Sequence, residues 1–308
     1  MSSVRTVEKL KETGKPTLGI IYFAIYCFLK AISYVTVDLL YKRQKNLSPW
    51  QMFFVRSIMG ILIMILHLNC KLKKETYDSV KCKKSGPLAF KTFTGVTTNL
   101  IQYSVTKFIP ATIISIVANL APVVVVVLAF LILKEVVRKF DILMIVLTLV
   151  GIFVIIIGGD DSGSQKAEPS FPIWVLYAIL GLNPFLSAGG TIAMRRMAKF
   201  SDATVSWYLQ WATLLTSLIM ILVLRNGFEI FSNFDFWDWL ITLGTGITSV
   251  YSETMRFKAL KLHKAAALQK LIPVTTLFQW VFDITIFSID YSWIQELGLA
   301  YLMLIYIF

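Results

Sequence analysis

Apolar windows of about twenty residues recur along nearly the whole of this chain, and no other feature restricts its fold more. They fall at 18–38, 50–68, 87–108, 109–133, 140–158, 171–194, 203–224, 236–259, 265–287 and 291–308. Twenty helical residues rise about 30 Å, the thickness of a bilayer's hydrocarbon core. Lipid offers no partner to a backbone N–H or C=O, so runs of this kind cross as helices. A soluble protein would need amphipathic helices to cover the windows, and none remain. Of 308 residues, 56% are hydrophobic and 16% charged, against about 25% charged in soluble domains. The expected fold is an all-α polytopic membrane protein with ten transmembrane helices.

A net charge of +12 raises the question of nucleic acid, and its distribution answers it. With the N-terminus in the cytosol, twenty Lys and Arg lie in the N-terminal tail and in the loops after spans two, four, six and eight or at the span ends beside them. The opposite loops and adjoining span ends hold six, and Lys30, Arg56, Lys91 and Lys270 lie within or at the edge of spans. This asymmetry follows the positive-inside rule and predicts both termini in the cytosol. The run KLKKETYDSVKCKK (71–84) then reads as a basic loop beside anionic lipid. Trp50, Trp174, Trp237, Trp239 and Trp293 begin spans on the opposite side, as an interfacial belt does. Cys27 lies within a span, with Cys70 and Cys82 by the cytosolic loop, so no structural disulfide is expected. The tail SSVRTVEKLKETGKP lacks a cleavable signal pattern, leaving the first span to target the protein.

The Gly-, Ser- and acid-rich stretch GGDDSGSQKAEPSFP (158–172) divides the spans five and five. ATIISIVANLAPVVVVVLAFLILKE (111–135) and KAAALQKLIPVTTLFQWVFDITIF (264–287) share a pattern: small residues, a proline at Pro122 or Pro273, then an apolar run. The two prolines are 151 residues apart, about half the chain. Five spans per half force the second half to enter the membrane inverted, the plan of secondary transporters that bind substrate near midplane. The expected organisation is a tail at 1–17, repeats at 18–158 and 171–308, and a linker at 159–170.

The 111–135 segment, with its terminal Glu135, resembles the fourth-helix signature of the EamA-type members of the drug/metabolite transporter superfamily. In FFVRSIMGILIM (53–64), Arg56 matches an arginine that family carries early in its second helix. ALKLHKAAALQKLIPVTTLFQWVFDITIF (259–287) is similar to the eighth-to-ninth helix stretch of eukaryotic solute carrier family 35 members. Asp290 departs from the pattern, standing where a glutamate is usual. Nucleotide-sugar transporters in that family carry a Gly-Ala-Leu-Asn-Lys motif whose asparagine and lysine help bind nucleotide. Ala266, Ala267, Leu268, Gln269 and Lys270 fall in its place, with Ala for Gly and Gln for Asn. The resemblance implies a transporter and an anionic substrate near Lys270.

Charges inside a membrane cost about 2.5–3.5 kcal/mol each on insertion scales, so each needs a partner, a cavity or a route to the headgroups. Lys270 is about six residues, or roughly 9 Å, from the cytosolic end of its span. Three readings are open for it: snorkelling, a structural pair with Glu253, or substrate contact. Lys30 lies deeper, with Tyr34 and Asp38 following at i+4 and i+8 on one broadly polar face. Asp38 and Arg56 sit at matched depth on adjacent spans and are expected to pair. That leaves Lys30 for a cavity role. Asn99, Gln102, Tyr103, Ser115, Asn119 and Tyr251 are polar and serve either as cavity lining or as interhelical hydrogen-bonding groups. Asp283, near the outer end of the ninth span, ranks below Lys270. Glu253 and Asp283 are the proton carriers if transport is proton-coupled.

No enzyme constellation is present. His67 and His263, the two histidines, sit at span ends, and there is no nucleophile elbow, Walker loop or paired CxxC. No cofactor, metal or nucleic acid is expected. The partners are a small-molecule substrate and the bilayer, plasma membrane or endomembrane, with oligomeric state open and a homodimer included. The sequence thus reads as a secondary transporter of a small polar metabolite working by alternating access, with an anionic substrate such as a nucleotide sugar. A non-transporting scaffold that kept the fold and lost the cavity is the alternative.

Overall fold

The structure, a computed structural model, describes residues 16–78, 80, 85–105, 117, 120–134, 139–157, 173–287 and 292–307. Every regular element among them is helical. We number the α-helices α1 Pro16–Arg43, α2 Pro49–Leu68, α3 Gly86–Val105, α4 Ala121–Leu128, α5 Lys139–Ile157 and α6 Ile173–Arg196. The rest are α7 Thr204–Val223, α8 Phe236–Leu262, α9 Ala265–Gln269, α10 Val274–Phe287 and α11 Trp293–Ile307. The 159–170 linker lies outside the described residues.

Helix boundaries follow local chemistry. Ser48 caps α2 in a reciprocal box with Gln51, and Pro49 opens the first turn, where its missing N–H costs nothing. Asp235 and Asp238 form the same box at the start of α8. Lys42 and Arg43 close α1, where cations favour the negative end of the helix dipole. Both α1 and α8 run past the expected span ends, α8 to Leu262. Arg256 and Lys258, counted from the sequence with the loop that follows, stand on the helix.

Three helical stretches among the described residues are long and apolar enough to cross a membrane: Thr17–Arg43, Pro49–Lys71 and Thr204–Val223. Shorter apolar helices occur at Ala121–Leu133 and Ile142–Gly151. Helix α8, at 27 residues, has the length, about 40 Å, but carries Asp238, Glu253, Arg256, Lys258 and Lys261. Leu66, Phe130, Phe153, Phe185 and Leu222 are exposed on helix surfaces, a pattern suited to lipid and unsuited to water.

The chain divides into two compact units, one of residues 1–92 and 193–264, the other of 93–192 and 265–308. In the first, α1 packs on α8, α2 on α7 and α8, and α7 on α8. Phe23, Phe53, Leu40, Met64, Phe257 and Leu260 fill its interior. Glycine sets its closest crossing: a Cβ on Gly246 would lie 2.8 Å from Met59 Cβ and 3.2 Å from Gly60 N. A Cβ on Gly60 would in turn meet the Gln210 side chain at 2.8 Å. Small residues that let backbones approach are the usual device where apolar burial between helices is not a driving force.

In the second unit α11 packs on α5, and α9 against α4 and α5. Pro122 stands in the first turn of α4, which continues as a π-type turn at Ala129–Leu133 and ends at Lys134 with φ 53°, a left-handed stop. The ninth window is not one helix. α9 ends at Gln269, residues 270–273 form turns, and α10 starts at Val274. Pro273 lacks an N–H and crowds the preceding turn, and Leu271, Ile272 and Val274 make short three-residue hydrogen bonds instead.

Candidate functional site

Within the first unit a charge cluster lies inside the helices. Lys91 on α3 places Nζ 3.3 Å from a carboxylate oxygen of Glu253 on α8. Arg256, one turn further along α8, approaches the other oxygen at 3.9 Å. Lys91 and Arg256 are both buried, and the Glu253 side chain keeps 17% exposure. The guanidinium of Arg256 lies 5.3 Å from the ring centroid of Tyr26 on α1, where the face of the ring attracts a cation. Lys30, one turn along α1, sits 4.9 Å from the Tyr34 ring centroid. It is within electrostatic reach of both Glu253 and Lys91. Among the described residues, two cations thus flank one carboxylate and a third lies within electrostatic reach.

Helix geometry explains this gathering. Tyr22, Tyr26, Lys30 and Tyr34 are spaced four apart on α1 and share a stripe. Lys258 lies 5.7 Å from the Tyr22 ring centroid, so α8 presents successive cations along that stripe. Each four-residue step advances about 40° at 3.6 residues per turn. Asp38, the next step past Tyr34, pairs with Lys42 at 3.2 Å, its side chain 52% exposed.

The expected Asp38–Arg56 pair is therefore corrected. Arg56 is buried on α2 and donates from Nη2 to Ser249 Oγ at 2.7 Å, with its guanidinium 5.7 Å from the Phe53 ring. Gln210 of α7 donates to the same hydroxyl oxygen at 2.8 Å. This polar node joins α2, α7 and α8 beside the Gly60–Gly246 crossing. The C-terminal end of α1 is held by Arg43 instead, which bridges Asp235 and, at 2.6 Å, Asp238. Gln44 adds a 2.7 Å bond to Asp238.

The other candidates fall in both units. Tyr251 meets His67 of α2, Oη to Nδ1 at 3.1 Å. Lys270 is half-buried in the turn between α9 and α10, with Gln269 beside it 1% exposed and neither of its amide atoms hydrogen-bonded among the described residues. Asn99 is half-buried on α3. Asn119, Ser115, Glu135 and Asp290 lie outside the described residues, as do the side chains of Tyr103 and Asp283.

Sequence reading missed Lys91 and Arg256 as partners of Glu253. One signal was available: Glu253 and Arg256 are three apart on a helix, a spacing that brings side chains together.

Lipid-length apolar helices enclosing a buried charge cluster define the class, an integral membrane protein. Residues 17–157 match the EamA-like transporter family, as the sequence resemblance implied. The chain is similar to solute carrier family 35 member G1 of Homo sapiens, 22% identical over 292 residues that span 93% of this chain and 77% of that protein. Among solved structures, one crystal structure of a protein aligns with a TM-score of 0.72 over 92% of this chain and 94% of its own, at 16% identity. At that identity the likeness is one of fold. EamA-type proteins are transporters rather than enzymes.

Proposed function

We propose that this protein is a secondary transporter of a small anionic metabolite, a nucleotide sugar being one such substrate, working by alternating access. The observation that carries this reading is the Lys91–Glu253–Arg256 cluster with Lys30 in reach. Buried cations are expensive in a low-dielectric interior, and an anionic ligand offsets that cost.

The architecture proposed is ten transmembrane helices in two inverted five-helix repeats, 18–158 and 171–308, with both termini cytosolic. The family match over 17–157 supports the first repeat. The break at residues 270–273 supports a binding role for Lys270 and Gln269, because discontinuous helices are where transporters expose groups to substrate. A buried amide without partners costs about 1–3 kcal/mol, and a ligand or a second conformation would answer it. Lys30, Tyr34, Asn99, Asn119, Tyr251, Glu253 and Lys270 remain the proposed substrate contacts, now joined by Lys91 and Arg256.

Uptake into proteoliposomes against nucleotide sugars, dicarboxylates, amino acids and nucleosides tests the reading. Uptake of an anion, lost in Lys91→Gln and Arg256→Gln, is expected. A folded protein that moves none of the panel favours the scaffold reading.

A further inference from the structure

We infer that Glu253 is an internal competitor for the anion site: it holds Lys91 and Arg256 in the empty protein, and a ligand binds by taking at least one of them from it. The inference rests on the anionic-substrate reading and adds the ligand's charge type, negative charge with no adjacent ammonium group.

The geometry carries it. Both carboxylate oxygens of Glu253 are engaged, one by Lys91 at 3.3 Å and the other by Arg256 at 3.9 Å. A carboxylate already shared by two cations offers little to a ligand's ammonium group, which would be a third cation beside Lys91 and Arg256. A ligand anion meets the opposite situation. The groups that attract it are present, and the nearest like charge is Glu253, close enough to repel it strongly in a low-dielectric interior. Glu253 then sets affinity from the unfavourable side, keeping the empty site neutralised and the bound ligand releasable. Removing its charge strengthens anion binding. A carboxylate that contacts the substrate, or that only positions Lys91, has the opposite sign.

The test uses the full chain purified in detergent, as wild type and Glu253→Gln. Uridine diphosphate and succinate serve as anionic probes and alanine as the zwitterion, at constant ionic strength, with affinity read from thermal shift and calorimetry. Glu253→Gln is expected to melt below wild type without ligand, yet to bind the anions at least tenfold more tightly, about 1.4 kcal/mol. Alanine is expected to bind neither protein. Anion affinity equal to or below wild type overturns the inference while leaving the anionic-substrate reading intact, and so does alanine binding that the variant loses. Failure of both anions to bind either protein overturns the two together. If the single variant cannot be recovered folded, Lys91→Gln with Glu253→Gln, which keeps the cluster's net charge, is measured instead. Anion affinity within tenfold of wild type supports competition, and a larger loss overturns it.

Discussion

Lys91 Nζ lies 3.3 Å from the Glu253 carboxylate, an ion pair between α3 and α8 in which both side chains are largely removed from solvent. Breaking a buried pair from one side strands the other charge, at roughly 3–5 kcal/mol. Arg256 also faces Glu253 and takes up part of that loss. Lys91→Leu is therefore expected to cost about 2–3 kcal/mol. Adding Glu253→Gln should return at least 1 kcal/mol in a double-mutant cycle by thermal melting, the coupling expected of contacting residues. Strict additivity would mean that the pair contributes nothing.

Two aspartates in the same unit should behave differently. Asp238 is 1% exposed and accepts from Arg43 and Gln44 while closing the α8 capping box. Asp38 is half-exposed and pairs with Lys42. Asp238→Asn should lower stability by about 1–3 kcal/mol, and Asp38→Asn by no more than about 0.5 kcal/mol. Equal melting temperatures for the two variants would contradict the placement of both.

Glycines two residues apart on α8 give a finer contrast. A methyl at Gly246 meets Met59 Cβ at 2.8 Å, whereas at Gly244 its nearest neighbour is Thr36 Cγ2 at 3.9 Å. Gly246→Ala should destabilise by about 1–3 kcal/mol through overpacking. Gly244→Ala should be neutral or stabilising by up to about 1 kcal/mol, the helix preference of alanine over glycine. The order of the two melting temperatures is the readout.

Lys270 in the α9–α10 break tests the second unit. Lys270→Gln keeps length and hydrogen bonding while removing charge. If the lysine meets the substrate, the variant should fold as wild type does and bind anion at least tenfold more weakly, about 1.4 kcal/mol. Unchanged binding and unchanged stability would make it a snorkelling anchor.

Orientation has its own experiment. Tags at the N-terminus and at 71–84 should be accessible from the cytosol, and a tag at 160–168 should not. Protection of the 71–84 tag in intact cells would reverse the orientation.

Helicity and membrane character were legible because both follow from residue periodicity and local apolar content. The break at Pro273 was legible as a proline, although its extent over residues 270–273 depends on turns that no periodicity encodes. Partner choice was far less legible. Asp38 and Arg56 matched in depth, but depth says nothing about rotation, and Asp38 had a nearer cation one turn on in Lys42. Lys91 lies 162 positions before Glu253 in the chain, and a pairing that distant is fixed by packing alone. Arg256 was hidden for a simpler reason. It lies near the end of the expected 236–259 window, and its charge was counted with the loop that follows.

The first compact unit draws on residues 1–92 and 193–264, which has a consequence for how the protein is made. Arg56 and its partner Ser249 are 193 residues apart, an interval that a ribosome working at about 5–20 residues per second takes roughly 10–40 s to cross. For that time α2 stands in the membrane with its arginine unanswered by α8, and Lys91 waits likewise for Glu253. Nascent chains halted after α6 therefore carry Arg56 and Lys91 before their α8 partners Ser249 and Glu253 have been made.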